Sequence, residues 1–252
     1  TKDARRYLIV NIKHTTEAIE QKLEKEGYKD IILDALDFGS EKICHLKNHF
    51  ENVVNIKEDI KIAEFSTERA LVHLKEITKK SHFTGTFEHK LVRNYIVSQL
   101  KELGLQVEIQ EQVAVNSKWR AATNTKNILA KIKGSEKGKA LLLLSHYDSN
   151  PHSALGASDA GSGVVVILEG IRAFLAKNQQ PKNDIIICIS DAEELGLLGA
   201  NAFVNHHPWA KDVGLVLNFE ARGSGGPSYI LLETNGGNKK LIEAFSNAKT
   251  PY

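Results

Sequence analysis

The sequence predicts an α/β fold, a mostly parallel central sheet flanked by helices and preceded by a small α/β segment. Three observations carry this expectation. From Lys139 onward, apolar runs of strand length alternate with segments of helical periodicity, the order of a parallel sheet covered on both faces. The longest apolar runs, around Ala140–Leu144 and Ile185–Ile189, have the length of buried strands, and nothing approaches membrane-spanning length. The 252 residues are 42% hydrophobic and 25% charged, an ordinary globular composition with room for one large domain or a mid-sized domain plus a small one.

Residues 1–62 read as the small α/β segment. Tyr7–Ile12 is β-rich, and Thr15 or Thr16 can cap a helix that Gly27 stops. Asp30–Leu36 is a second apolar run and Ser40–Phe50 a second helical pattern. No glycine fingerprint follows the first strand, so nucleotide binding has little support. His14, His45 and His49 have no carboxylate partner at fixed spacing and read as surface residues. The role of this segment is not legible.

Residues 63–252 form the second expected domain. Ser66 caps a helix through Lys79, and Glu88–Leu103 is amphipathic, with Leu91, Tyr95, Val97 and Leu100 on its apolar side and Gly104 as its stop. Gln106–Val115 alternates as a strand, with Asn127–Lys133 as its partner. Then come strand Lys139–Ser145, helix Ser162–Ala176, strand Asp184–Ser190, helix Leu195–Val204, strands Val213–Phe219 and Ser228–Glu233, and helix Gly237–Ala248. A net charge of +2 points away from nucleic acid and anionic membranes as partners. Cys188, inside an apolar run, reads as a buried free thiol; Cys44 says little.

The chemistry-bearing residues fall beyond the carboxyl ends of the strands, where open α/β sheets place their ligands. Lys139–Ser145 runs into His146-Tyr147-Asp148, and Asp184–Ser190 into Asp191-Ala192-Glu193-Glu194. Val213–Phe219 ends at Glu220, and the loop Ser158-Asp159-Ala160-Gly161-Ser162-Gly163 leads into a helix. Imidazole nitrogen with carboxylate oxygen suits zinc, whose catalytic sites keep a position open for water. His146 and Asp148 are two apart, so extended backbone turns both to one side and lets Asp148 orient the imidazole. The paired glutamates invite a division of labour, one on a metal and its neighbour free to take a proton from water. Each element alone has a plainer explanation: charges near a helix dipole, a capped turn, a polar strand end. Their order and placement together favour the metal. A serine hydrolase is poorly supported, because no Gly-x-Ser-x-Gly elbow follows a strand.

The segments SHYDS (145–149), SDAGSG (158–163), DAEELGLLGA (191–200) and NFEARG (218–223) resemble the zinc exopeptidases of the aminopeptidase S/Y type. Within that group they are most similar to the endoplasmic-reticulum metallopeptidase and vacuolar membrane protease branch and its bacterial relatives. FTGTFEHKLVRNYI (83–96) resembles that branch's lead-in helix, and residues 1–62 lie outside the match. The resemblance implies a two-zinc aminopeptidase that cleaves the N-terminal bond of a peptide substrate. His146 and Glu220 would bind one zinc, Asp159 would bridge both, with a cis peptide after it, and Glu194 would bind the second. Glu193 would be the general base and acid, and Asp148 the partner of His146. A membrane-anchored parent with its peptidase outside the cytosol is also implied, although this stretch itself makes no membrane contact.

The family supplies one more histidine to the second zinc, downstream of the NFEARG-like motif, and no histidine follows His207 here. His206 and His207 precede Pro208 at a helix end and read as capping or exposed. The chain has no methionine and breaks off at Lys249–Tyr252 without a helix stop, so the expectation is a portion of a longer parent, slow or inactive by itself. The competing expectations are a carboxypeptidase, a glutaminyl-cyclase-like enzyme, and a binding or scaffold domain that lost catalysis.

Overall fold

A computed structural model describes residues 9–11, 32–34, 60–152, 154–221 and 239–247. The chain divides into two compact units, residues 1–37 with 225–252, and residues 38–224. In the first, β1 (Ile9–Asn11) and β2 (Ile32–Asp34) pair in parallel with Ile9 opposite Ile32. Both lie inside apolar runs expected to be strands. A helix at Lys239–Ser246 also belongs to this unit. The expected helices at 15–27 and 40–50 and the strand at 228–233 lie outside the described residues.

The second unit holds two lead-in helices and a five-stranded sheet. Helix α1 (Thr67–Ile77) begins where Ser66 Oγ accepts the Arg69 N–H at 3.2 Å, the expected cap. Helix α2 (Phe87–Glu102) is capped by Thr86, whose Oγ1 accepts the His89 N–H at 3.1 Å. Its buried stripe is Val92, Ile96 and Leu100, spaced by four, with His89 at its start. Tyr95 and Val97 pack beside that stripe, whereas Leu91 is 49% exposed and not on the apolar side as expected. One residue of rotation puts it past the edge of the stripe. Tyr95 Oη instead meets His73 Nδ1 of α1 at 2.7 Å.

The strands are β3 (Val107–Asn116), β4 (Ala121–Ile132), β5 (Ala140–His146), β6 (Ile185–Ser190) and β7 (Val213–Asn218), in the order β3-β4-β6-β5-β7. β5 pairs in parallel with β6 and β7, but β4 is antiparallel to both β3 and β6. The sheet is therefore mixed and not mostly parallel. The hairpin β3–β4 contributes one antiparallel pair, because a short connection can only join antiparallel strands, and β4 adds a second by lying against β6. β4 also begins six residues before its expected start at Asn127, because residues 121–126 pair with β3 beyond the reach of β6.

Helices cover both faces. Ile187 and Ile189 of β6, with Ile128, Ala130 and Ile132 of β4, pack under α1, α2 and α3 (Gly163–Leu175). Ile186 and Cys188 point the other way, with Leu129 and Leu142, onto Phe203 of α4 (Leu198–His206). A strand buried on both sides has no polar face to alternate with, which is why β6 reads as the unbroken run IIICIS. Among the described residues, no helix is long and apolar enough to cross a membrane.

Beside residues 62–66, Glu169 of α3 is sealed from solvent. Its carboxylate accepts the Ser66 N–H at 2.8 Å, Arg69 Nε at 2.9 Å and Arg172 Nε at 2.6 Å. Arg69 and Arg172 in turn donate to the Glu64 carbonyl, so one buried charge ties the lead-in chain to the sheet-packing helix.

Candidate metal centre

The parallel strands set one rim. His146 ends β5 opposite Ser190, the last residue of β6, so Asp191–Glu194 leave the sheet beside it. Asn218 of β7 is opposite Leu144, and the Phe219 N–H donates to the Leu144 carbonyl at 2.8 Å, which brings Glu220 level with His146. Each side chain is placed by strand register, not by proximity in sequence.

Asp159 arrives from the turn before α3. Its backbone and that of Ala160 are non-helical, and the Asp159–Ala160 peptide is cis, as the resemblance implied. Ser145 Oγ donates to the Ala160 carbonyl at 3.3 Å and Ser162 Oγ to the Ser158 carbonyl at 2.6 Å. Gly163 explains the tight start of α3. A Cβ there would stand 2.4 Å from the Phe219 carbonyl oxygen and 2.6 Å from Ser145 Oγ. Only glycine lets this helix start against the strand ends that carry His146 and Glu220.

His146 is 1% exposed. Its Nε2 lies 2.9 Å from Asp159 Oδ1, 3.6 Å from Glu220 Oε1 and 3.8 Å from Glu193 Oε2. Nδ1 is 3.0 Å from the Asp148 main-chain oxygen and 3.4 Å from its carboxylate. Burial pulls the imidazole pKa down, but hydrogen bonds to Asp148, Asp159 and Glu220 outweigh it and raise it to about 12. So many carboxylates around one nitrogen call for positive charge, which a proton supplies singly and a divalent cation doubly.

Asp148 is fully buried, and its carboxylate accepts the N–H groups of Glu193 at 3.0 Å and Glu194 at 3.1 Å. Burial opposes its ionisation, yet His146 and those two N–H groups hold its pKa below the usual range. Asp159 is held low by its hydrogen bond to His146. Glu193 moves the opposite way. Burial, with Glu220, Asp148 and Glu194 nearby, pushes it up to about 7 despite the pull of His146. Desolvation and the charge of Asp159 also raise Glu194, against the lowering bond from Asn150.

His146, Asp159 and Glu220 each offer a ligand atom within 4.8 Å of the others. Glu194 stands outside that group; Asn150 Nδ2 donates to its Oε2 at 2.9 Å, and its Oε1 is buried without a partner. His206 is exposed, whereas His207 is buried, caps the next turn by accepting the Trp209 N–H at 3.2 Å, and meets Glu108 at 3.2 Å.

Sequence reasoning missed the buried supports. Asp191 Oδ2 accepts the Lys126 N–H at 2.8 Å, and Asn127 Oδ1 accepts the Asp191 N–H at 3.0 Å. His89 stacks on Tyr147 with ring centroids 4.5 Å apart. Its Nε2 comes within 3.0 Å of Asp191 Oδ1. Asp191 and His89 both sit inside the quoted motifs, so a polar residue at an otherwise buried position was the available signal.

A profile of Peptidase family M28 matches residues 127–252, half of the chain, across all four of these rim segments. The chain belongs to this family. The vacuolar membrane protease of Candida dubliniensis is 32% identical over 192 residues, covering 71% of this chain and 20% of that protein. The vacuolar membrane protease of Candida albicans SC5314 is 34% identical over 191 residues, 73% of this chain and 22% of that one. The chain thus spans about a fifth of these relatives. Among solved structures, a glutaminyl cyclase of Porphyromonas gingivalis superposes with a TM-score of 0.50 at 26% identity over 57% of this chain and 54% of its own. A leucine aminopeptidase precursor of Bacteroides thetaiotaomicron gives 0.52 at 23% identity, covering 63% and 62%, and shows the shared fold alone.

Proposed function

We propose that this M28 chain carries the centre of a zinc-dependent aminopeptidase that hydrolyses the N-terminal bond of a peptide. The observation that carries it is the cluster of His146, Asp159 and Glu220 with Glu193 beside it. The donors fit: one imidazole and several carboxylates are the set zinc accepts, and the buried, unpartnered Glu194 Oε1 offers a cation a further oxygen. His146, Asp159 and Glu220 would hold one ion, and Asp159 with Glu194 would contribute to a second. When bound, zinc supplies Lewis acidity, which makes water acidic near neutral pH and polarises a carbonyl oxygen.

The chain's own residues do the rest. Asp148 meets the imidazole Nδ1 with its main-chain oxygen, backs it with a carboxylate 3.4 Å away and, by binding both glutamate N–H groups through that carboxylate, sets where Glu193 stands. Glu193, with its raised pKa, takes a proton from the attacking water and returns it to the leaving amine. Acidic groups at the rim also suit a free α-amine.

The likeness to glutaminyl cyclases supports a second reading, acyl transfer within an N-terminal glutamine on the same scaffold. The zinc-loaded protein is assayed on amino-acid anilides, on N-blocked peptides with a free carboxyl end, and on peptides starting with glutamine. Anilide cleavage supports the aminopeptidase. Exclusive action on the blocked peptides makes it a carboxypeptidase, and exclusive ring closure makes it a cyclase. No zinc uptake and no turnover leave a scaffold domain and refute the proposal.

A further inference from the structure

We infer that Asn150 is a positioning residue that holds the Glu194 carboxylate so that its free oxygen faces a metal ion; this rests on the zinc reading above. Glu194 is gripped at both ends. Its N–H donates to Asp148 Oδ2 at 3.1 Å, and its Oε2 accepts Asn150 Nδ2 at 2.9 Å. That leaves Oε1, buried and without a hydrogen-bond partner. A buried acceptor with nothing to accept from is costly, so something must meet that atom when the site works.

The orientation of Asn150 is decided by its other contact. Its Oδ1 accepts the His152 N–H at 3.0 Å, a local turn that occupies the oxygen and commits the NH₂ to Glu194. The loop beneath is anchored: Ser149 is fully buried, its Oγ accepts the His82 N–H at 2.9 Å, and its own N–H donates to the His82 carbonyl at 3.4 Å. The donor is therefore carried on fixed backbone continuous with the strand that ends in His146. Without it, the Glu194 side chain is free to turn either oxygen to water, and the rotamer that presents Oε1 loses its advantage. Glu194, outside the His146–Asp159–Glu220 group, would serve the other ion, so the effect of Asn150 falls on one ion only.

The test is zinc titration against a competing chelator, with metal-free melting temperatures, for wild type, Asn150→Ala, Asn150→Leu, Glu194→Gln and the double variant Asn150→Ala/Glu194→Gln. Both Asn150 variants should weaken the ion that Glu194→Gln also weakens, by about 10-fold or more, and leave any other ion unchanged. The double variant should bind no worse than Glu194→Gln alone, because the pin has nothing left to hold. Wild-type zinc affinity in both Asn150 variants overturns the inference, as does additivity with Glu194→Gln. A lowered metal-free melting temperature with all zinc binding weakened together makes Asn150 a loop-holding residue and overturns it too. A wild-type protein that takes up no zinc overturns the metal reading itself, and the inference with it.

Discussion

Asp148→Asn tests the centre at the point where most of its parts meet. The carboxylate is fully buried and accepts the Glu193 and Glu194 N–H groups at 3.0 and 3.1 Å, while standing 3.4 Å from His146 Nδ1. An asparagine of the same shape keeps one oxygen and turns an NH₂ toward the other N–H. One charge-assisted hydrogen bond is lost, about 2 kcal/mol, and a buried donor facing a donor adds about 1 more. A total of about 3 kcal/mol lowers the melting temperature of a domain this size by about 9 °C. The imidazole also loses the anion behind it, so zinc affinity should fall about 10-fold or more. Thermal melts with and without zinc, and chelator competition, read both effects. A variant that melts within about 2 °C of wild type and binds zinc equally well refutes the two-N–H account of Asp148.

Glu193→Gln should retain zinc and lose about 100-fold or more in kcat, because a proton carrier is removed while His146, Asp159, Glu194 and Glu220 are spared; parallel loss of metal and rate would show that the two glutamates have exchanged roles. In the wild type, kcat/KM should rise with pH along a limb at or below about 7, where Glu193 gives up its proton, since bound cations pull that value down. Glu169 is buried, a cost that the Arg172, Ser66 and Arg69 hydrogen bonds more than offset, so its pKa is depressed in the fold. Its stabilisation is complete above the unfolded value of about 4.3 and is lost as pH falls through the lower folded value; Glu169→Gln should melt lower at pH 7 and change less than wild type below about pH 4.3, as acid melts would show. Burial pushes the Cys188 thiol up to about 12, so in a Cys44→Ser background a thiol reagent should label nothing until denaturant is added, and rapid native labelling would place Cys188 at the surface.

Much of this protein was open to a linear reading. Strand-length runs such as IIICIS, and caps such as Ser66, report themselves because burial on both faces and an orphan N–H each demand a particular residue type. His146, Glu193, Glu194 and Glu220 were visible because parallel strands deliver their carboxyl ends to one rim, so any polar residue just past such a strand is a candidate, and Asp159 because its glycine-rich loop leads into the next helix. Strand direction was less visible: nothing local to residues 121–132 says that β4 runs against β6, and the mixed sheet emerges only when the hairpin is closed. The supports were hidden for the same reason. Asn150, Asp191, His89 and Asn127 look like ordinary polar residues until the fold sets them against partners 17 to 102 positions away. Residue chemistry and order determine which groups can bind a cation or move a proton. Which oxygen of Glu194 is left free, and which donors hold the other, depends on contacts between distant segments, and only the packed chain decides that.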